Sequence, residues 1–94
     1  MTLTARFTPL APGIAYASLS GHPCPRMLVY THRLAPDELA VALWEGDHEG
    51  DRDLRGGGVL RQRDGRWEGE CSEGRAIWRV SGVAGAGVLE FGEK

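Results

Sequence analysis

Two glycine-containing turns in the C-terminal third constrain this chain more than any other feature, because together they dictate how three strands pair. Asp64-Gly65 separates Val59–Arg63 from Arg66–Glu70. Asp-Gly suits a two-residue type I′ hairpin, in which both central residues need φ > 0. Glu73-Gly74 then separates the second segment from Arg75–Val80. With two-residue loops at both points, Arg61 faces Glu68 and Glu68 faces Arg79. On the other side Leu60, Gly69 and Trp78 form one rung, and Gln62, Trp67 and Val80 the next. One face is an ion-pair ladder and the other largely apolar, and a slip of one residue would mix them.

Ninety-four residues are expected to make one domain. A chain of this length buries roughly 60–68% of its unfolded surface, enough for one modest core. Hydrophobic content of 41% marks a globular chain. The formal charge of −2 supplies no global attraction to nucleic acid or to an anionic membrane. No apolar run reaches bilayer length, and Met1–Arg6 lacks a basic region followed by an apolar core. The default expectation is a cytoplasmic protein without membrane contact. Cys24 and Cys71 are too few for a disulfide framework and read as small buried side chains.

Along the chain, Leu3, Ala5 and Phe7 alternate with polar residues as a half-buried strand. Pro9–Gly13 breaks it, and Ile14–Ser20 resumes an extended pattern. Gly21–Pro25, with two prolines, ends that strand. Met27–Thr31 reads as a central strand. Pro36, Asp37 and Glu38 resemble a helix start, and Leu39, Ala40, Leu43 and Trp44 form a helical stripe. The competing pattern is the alternation of Leu39, Val41 and Leu43, which suits a strand. Residues 46–58 are polar, then glycine-rich, and read as a mobile loop that contributes little stability. A short last strand is expected at Val88–Phe91.

The expected fold is therefore mainly β: a small antiparallel half-open barrel or bent sheet of about six or seven short strands, with at most one helix around 36–45.

Candidate chemistry is sparse. Asp47, Glu49, Asp51 and Asp53 alternate as the early ligands of a calcium loop do, but Arg52 stands where such loops need glycine and Gly58 where the closing Glu belongs. A looser cation site from Asp47, His48, Asp51 and Asp53 is the remaining metal reading, against a solvated charged loop. His22, His32 and His48 lack zinc spacing with either cysteine. Cys71 projects onto the apolar face, where a thiol without a cationic neighbour is inert. Gly56–Gly58 lacks the residues of a phosphate loop and leads into a strand. Arg55, Arg61, Arg63, Arg66, Arg75 and Arg79 crowd the C-terminal half with Trp67 and Trp78 among them, but the register sends arginines and tryptophans to opposite faces, so they cannot jointly stack a base.

The function expected is a non-enzymatic binding or adaptor module acting through a sheet face, an edge strand or the 46–58 loop, with no catalytic residue, metal or cofactor. The partner-binding candidates are Asp47, His48, Asp51, Asp53, Arg61 and Arg79. A protein partner or small ligand is favoured over nucleic acid, and a homo-oligomer is compatible with the composition. The alternatives are a nucleic-acid-binding small barrel using the arginine face, and a cation-dependent protein or small enzyme using the acidic loop with His48.

Overall fold

The computed structural model describes residues 1–94. They form nine antiparallel strands and no helix: β1 (Thr2–Arg6), β2 (Thr8–Ala11), β3 (Ile14–Ser20), β4 (Met27–Ala35), β5 (Glu38–Gly46), β6 (Arg52–Arg63), β7 (Arg66–Glu73), β8 (Ala76–Val83) and β9 (Val88–Glu93). From β3 to β9 each strand pairs with the next, as a meander. β1 pairs with β9 on one side and β3 on the other, which closes eight strands into a barrel. β2 is the extra strand. It continues β1 in the same register on β3 but has no partner on its other side.

Strand alternation sends one set of side chains inward. Leu3, Ala5, Ala17, Leu19, Met27, Val29, Val41, Leu43, Leu60, Trp67, Cys71, Trp78, Val80, Leu89 and Phe91 form one buried cluster. Burying each larger apolar side chain stabilises the fold by roughly 1.5–3 kcal/mol. Eight strands enclose a space that side chains can fill or that can hold one small ligand. Here large and small residues alternate across it: Trp67 stands opposite Gly82, and Trp78 opposite Cys71.

The Asp64-Gly65 hairpin forms as expected, with φ of 52° and 75° and with Leu60 opposite Gly69, Arg61 opposite Glu68 and Gln62 opposite Trp67. The second turn lies one residue later than expected. Its central residues are Gly74 and Arg75, and Glu73 faces Ala76. Gly74 has φ 58° while Arg75 keeps a negative φ, which is the type II′ pattern with glycine first. Pairing therefore shifts by two residues. Glu68 faces Ser81, Glu70 faces Arg79, and Gly69 faces Val80 instead of Trp78. A shift of two preserves the faces, so the indoles still point inward and the charges outward.

Three further expectations are corrected. The segment 36–45 expected as a helix is instead a turn at Pro36-Asp37 followed by strand β5, because Leu39, Val41 and Leu43 supply one inward face between β4 and β6. Sheet context overrides the local proline and dipole signals. The interval 46–58 is not one loop: only Asp47–Asp51 connects the strands, and Arg52–Gly58 belongs to β6. Gly56, Gly57 and Gly58 lie where neighbouring backbones come too close for a side chain. A Cβ on them would meet the carbonyls of Ser72, Val41 and Glu70. Pro9 does not end extended structure either, because β2 is a barrel-edge strand where a missing donor is tolerated.

Candidate functional site

The two ends of the barrel differ. At one end, the Gly21–Arg26 connection folds over the interior. His22 Nδ1 accepts the Cys24 backbone N–H at 2.9 Å, which assigns the ring proton to Nε2. That nitrogen lies 2.9 Å from both carboxylate oxygens of Glu73 and donates to them. Glu73 Oε1 also accepts Trp78 Nε1–H at 3.1 Å. Beside this chain, Glu45 pairs with Arg55 at 2.6 Å. The hydrogen bond from Arg55, assisted by one from the Cys24 thiol, holds the Glu45 carboxyl below its ordinary range. Arg55 can reach it because a bulge in β6 leaves this residue without a cross-strand partner on β5. A cleft of about 470 Å³ remains here, but its polar groups already satisfy one another.

The other end is open. Beyond Phe7 the first strand leaves β9 and follows β3 alone, so the seam that β1 closes is parted there. The mouth has a volume of about 420 Å³. Phe7, Ile14, Ala15, Leu39 and Leu89 give it apolar walls, and the Gly85–Val88 connection forms its rim. Trp67 forms part of the lining. Arg33 is the one charged residue among those that line it. It continues the inward alternation of Met27, Val29 and Thr31 along β4, and its backbone N–H is fixed on Gly13 O at 2.8 Å. The guanidinium sits 5.3 Å from the Trp67 ring centroid. No carboxylate lies within ion-pair distance of it.

The residues singled out in the sequence do not gather into one site. Asp47 pairs with Arg26 at 3.2 Å, and Asp51 accepts the Asp47 N–H through its backbone. Asp53 faces Glu45 at the start of β6. His48 stacks on Tyr16, with ring centroids 3.9 Å apart, and its Nδ1 lies 2.6 Å from the Tyr30 hydroxyl. Arg52 covers the outer faces of Tyr30 and Trp44. His48 thus ties the acidic connection to the outside of the barrel, and no three carboxylate, His or Cys groups converge as a metal site. Arg61 bonds Glu38 at 3.0 Å, and Arg79 faces Glu70, which itself bonds Lys94 at 2.7 Å. Burial pushes the Cys71 thiol up to about 12.

Sequence reasoning missed Arg33. The signal was its spacing: it falls on the same alternation as Met27, Val29 and Thr31, which sets it on the barrel side of β4, where it is exposed at the open mouth. No known protein family, curated protein or solved structure matches the chain.

Proposed function

We propose that this protein is a small non-enzymatic binding module whose ligand is a small molecule with apolar surface, seated in the open mouth of the barrel. The asymmetry of the barrel carries this reading. One end holds a cleft whose polar groups are already paired with one another, while the other leaves apolar walls and a solvent-exposed arginine without an ion-pair partner. Mouths of β-barrels are frequent ligand sites, and a space of about 420 Å³ falls in the lower part of the usual range. The nucleophile and base candidates have structural employment: Cys71 is held neutral, and both ring nitrogens of His22 are engaged. The two unpaired thiols favour a reducing compartment such as the cytoplasm.

The ion-paired outer face gives less support to a nucleic-acid reading, because Arg61 and Arg79 already face acidic residues.

The test is calorimetric titration with 1-decanol, with amide shifts mapped by NMR. The expected result is saturable one-to-one binding with shifts confined to Ala15, Leu39, Val88 and their neighbours. Ala15→Phe, which fills the mouth, should abolish it. Shifts scattered over the surface, or binding that Ala15→Phe leaves intact, would overturn the proposal.

A further inference from the structure

We infer that the ligand of the mouth carries a carboxylate, and that Arg33 receives it while a short chain or small ring lies against Phe7, Leu39 and Leu89. This rests on the reading of the mouth as a small-molecule site and deepens it. Three observations lead there.

First, charge in the mouth is unbalanced. Elsewhere on the barrel Arg26 pairs with Asp47, Arg55 with Glu45, Arg61 with Glu38 and Glu73 with His22. Arg33 has none, and no acidic residue lines the space. A lone positive charge beside low-dielectric walls raises the local concentration of anions and disfavours cations.

Second, the guanidinium has an aromatic neighbour. It lies 5.3 Å from the ring centroid of Trp67, whose indole is buried while Arg33 itself is exposed. Stacking on an aromatic face leaves the N–H edge of arginine free, and that edge matches the two oxygens of a carboxylate. The backbone beneath is fixed by the Arg33 N–H to Gly13 O bond and by pairing with Leu39. The backbone that carries the guanidinium is therefore set before the ligand arrives, which leaves only the side chain to order on binding.

Third, the remaining walls are apolar and small in extent. A volume of about 420 Å³ suits a compact hydrophobic body rather than a polymer or a long acyl chain. Acid head and apolar body together define the class as a small amphipathic carboxylic acid.

Titrating the wild-type protein with three probes of equal length tests this directly. Decanoate should bind at least about tenfold more tightly than 1-decanol, and decylammonium should be the weakest of the three. Raising the salt concentration should weaken decanoate and leave decanol nearly unchanged. Arg33→Met should remove the preference for decanoate over decanol, so that the two bind with affinities within about twofold of each other. Equal affinity for acid and alcohol in the wild type would overturn the carboxylate inference and leave the mouth as an apolar site. Failure of acid and alcohol alike would overturn both. The three-probe comparison needs no variant, so a poorly folding Arg33→Met does not remove the test.

Discussion

His22 Nε2 and the Glu73 carboxylate lie 2.9 Å apart across 51 positions of sequence, and they tie the barrel together at one end. The glutamate sits at the end of β7 and the histidine in the β3–β4 connection, so this bond joins opposite walls. Both side chains are largely withdrawn from solvent, at 9% and 20% exposure. Removing one partner from such a pair leaves the other poorly solvated, a loss of roughly 1–3 kcal/mol. His22→Ala should lower the free energy of urea unfolding by that amount. Because the mouth lies at the far end, binding of 1-decanol to the folded His22→Ala protein should match wild type.

The register of β7 and β8 predicts an order among charge reversals. Glu68 faces Arg61 and Ser81, whereas Glu70 faces Arg79 and also bonds Lys94. Glu68→Arg creates one like-charge cross-strand pair, worth roughly 0.2–1 kcal/mol. Glu70→Arg creates the same kind of pair and loses a bond to a cation as well. Melting curves should place Glu70→Arg below Glu68→Arg, with the gap narrowing at high salt.

Two glycines should respond in opposite ways. A Cβ at Gly58 would collide with the Glu70 carbonyl, a backbone atom that cannot step aside. Gly58→Ala should therefore cost at least the roughly 1–3 kcal/mol typical of overpacking. Gly65 has open space around it but a φ of 75°. Asparagine tolerates that conformation better than other side chains, so Gly65→Asn should cost less than about 1 kcal/mol. Chemical denaturation of the two variants side by side checks the contrast.

Cys71 makes alkaline stability diagnostic. Its folded-state pKa is raised from 9.0 to about 12, so the folded protein favours the neutral thiol. The unfolded chain releases its proton first, and stability is full below pH 9 and falls as pH rises toward 12. Between about pH 8 and about pH 10.5 this group alone should remove about 1–2 kcal/mol. Cys71→Ala starts from a lower stability, because a buried atom is lost, yet should fall less steeply over that interval. Urea unfolding at both pH values gives the two slopes.

The Asp47–Asp51 connection should contribute stability through a single residue. His48 is the side chain that stacks on Tyr16 and reaches Tyr30. His48→Ala should cost about 1 kcal/mol, the sum expected of a modest aromatic contact and one hydrogen bond. Asp51→Ser should change the melting temperature little, because the carboxylate of Asp51 has no ion-pair partner and only its backbone carbonyl is used. Thermal melts of both variants separate an anchored connection from a merely solvated one.

Alternation and turn chemistry determined much of this protein by themselves. Ile14–Ser20, the Asp64-Gly65 hairpin, the inward tryptophans of β7 and β8 and the last strand follow from period-two patterning and from residues that tolerate positive φ. These are local signals, and local energetics decided them. Where local signals conflicted, tertiary pairing decided. Pro36-Asp37-Glu38 resembles a helix start, yet Glu38–Gly46 gains two full ladders of hydrogen bonds by lying between β4 and β6. Gly56–Gly58 looks flexible in isolation, but three close backbone approaches require it. The second turn moved by one residue because glycine suits the first position of a type II′ loop, which no count of flanking residues could show. The candidate site lay furthest from view. Phe7 lies at the junction of β1 and β2, and Arg33, Leu39, Trp67 and Leu89 come from four further strands; only closure of β1 on β9, with β2 peeling away, brings them around one opening. Closure is a property of the whole sheet, set by long-range pairing across nearly the full chain, and no segment of sequence carries it alone.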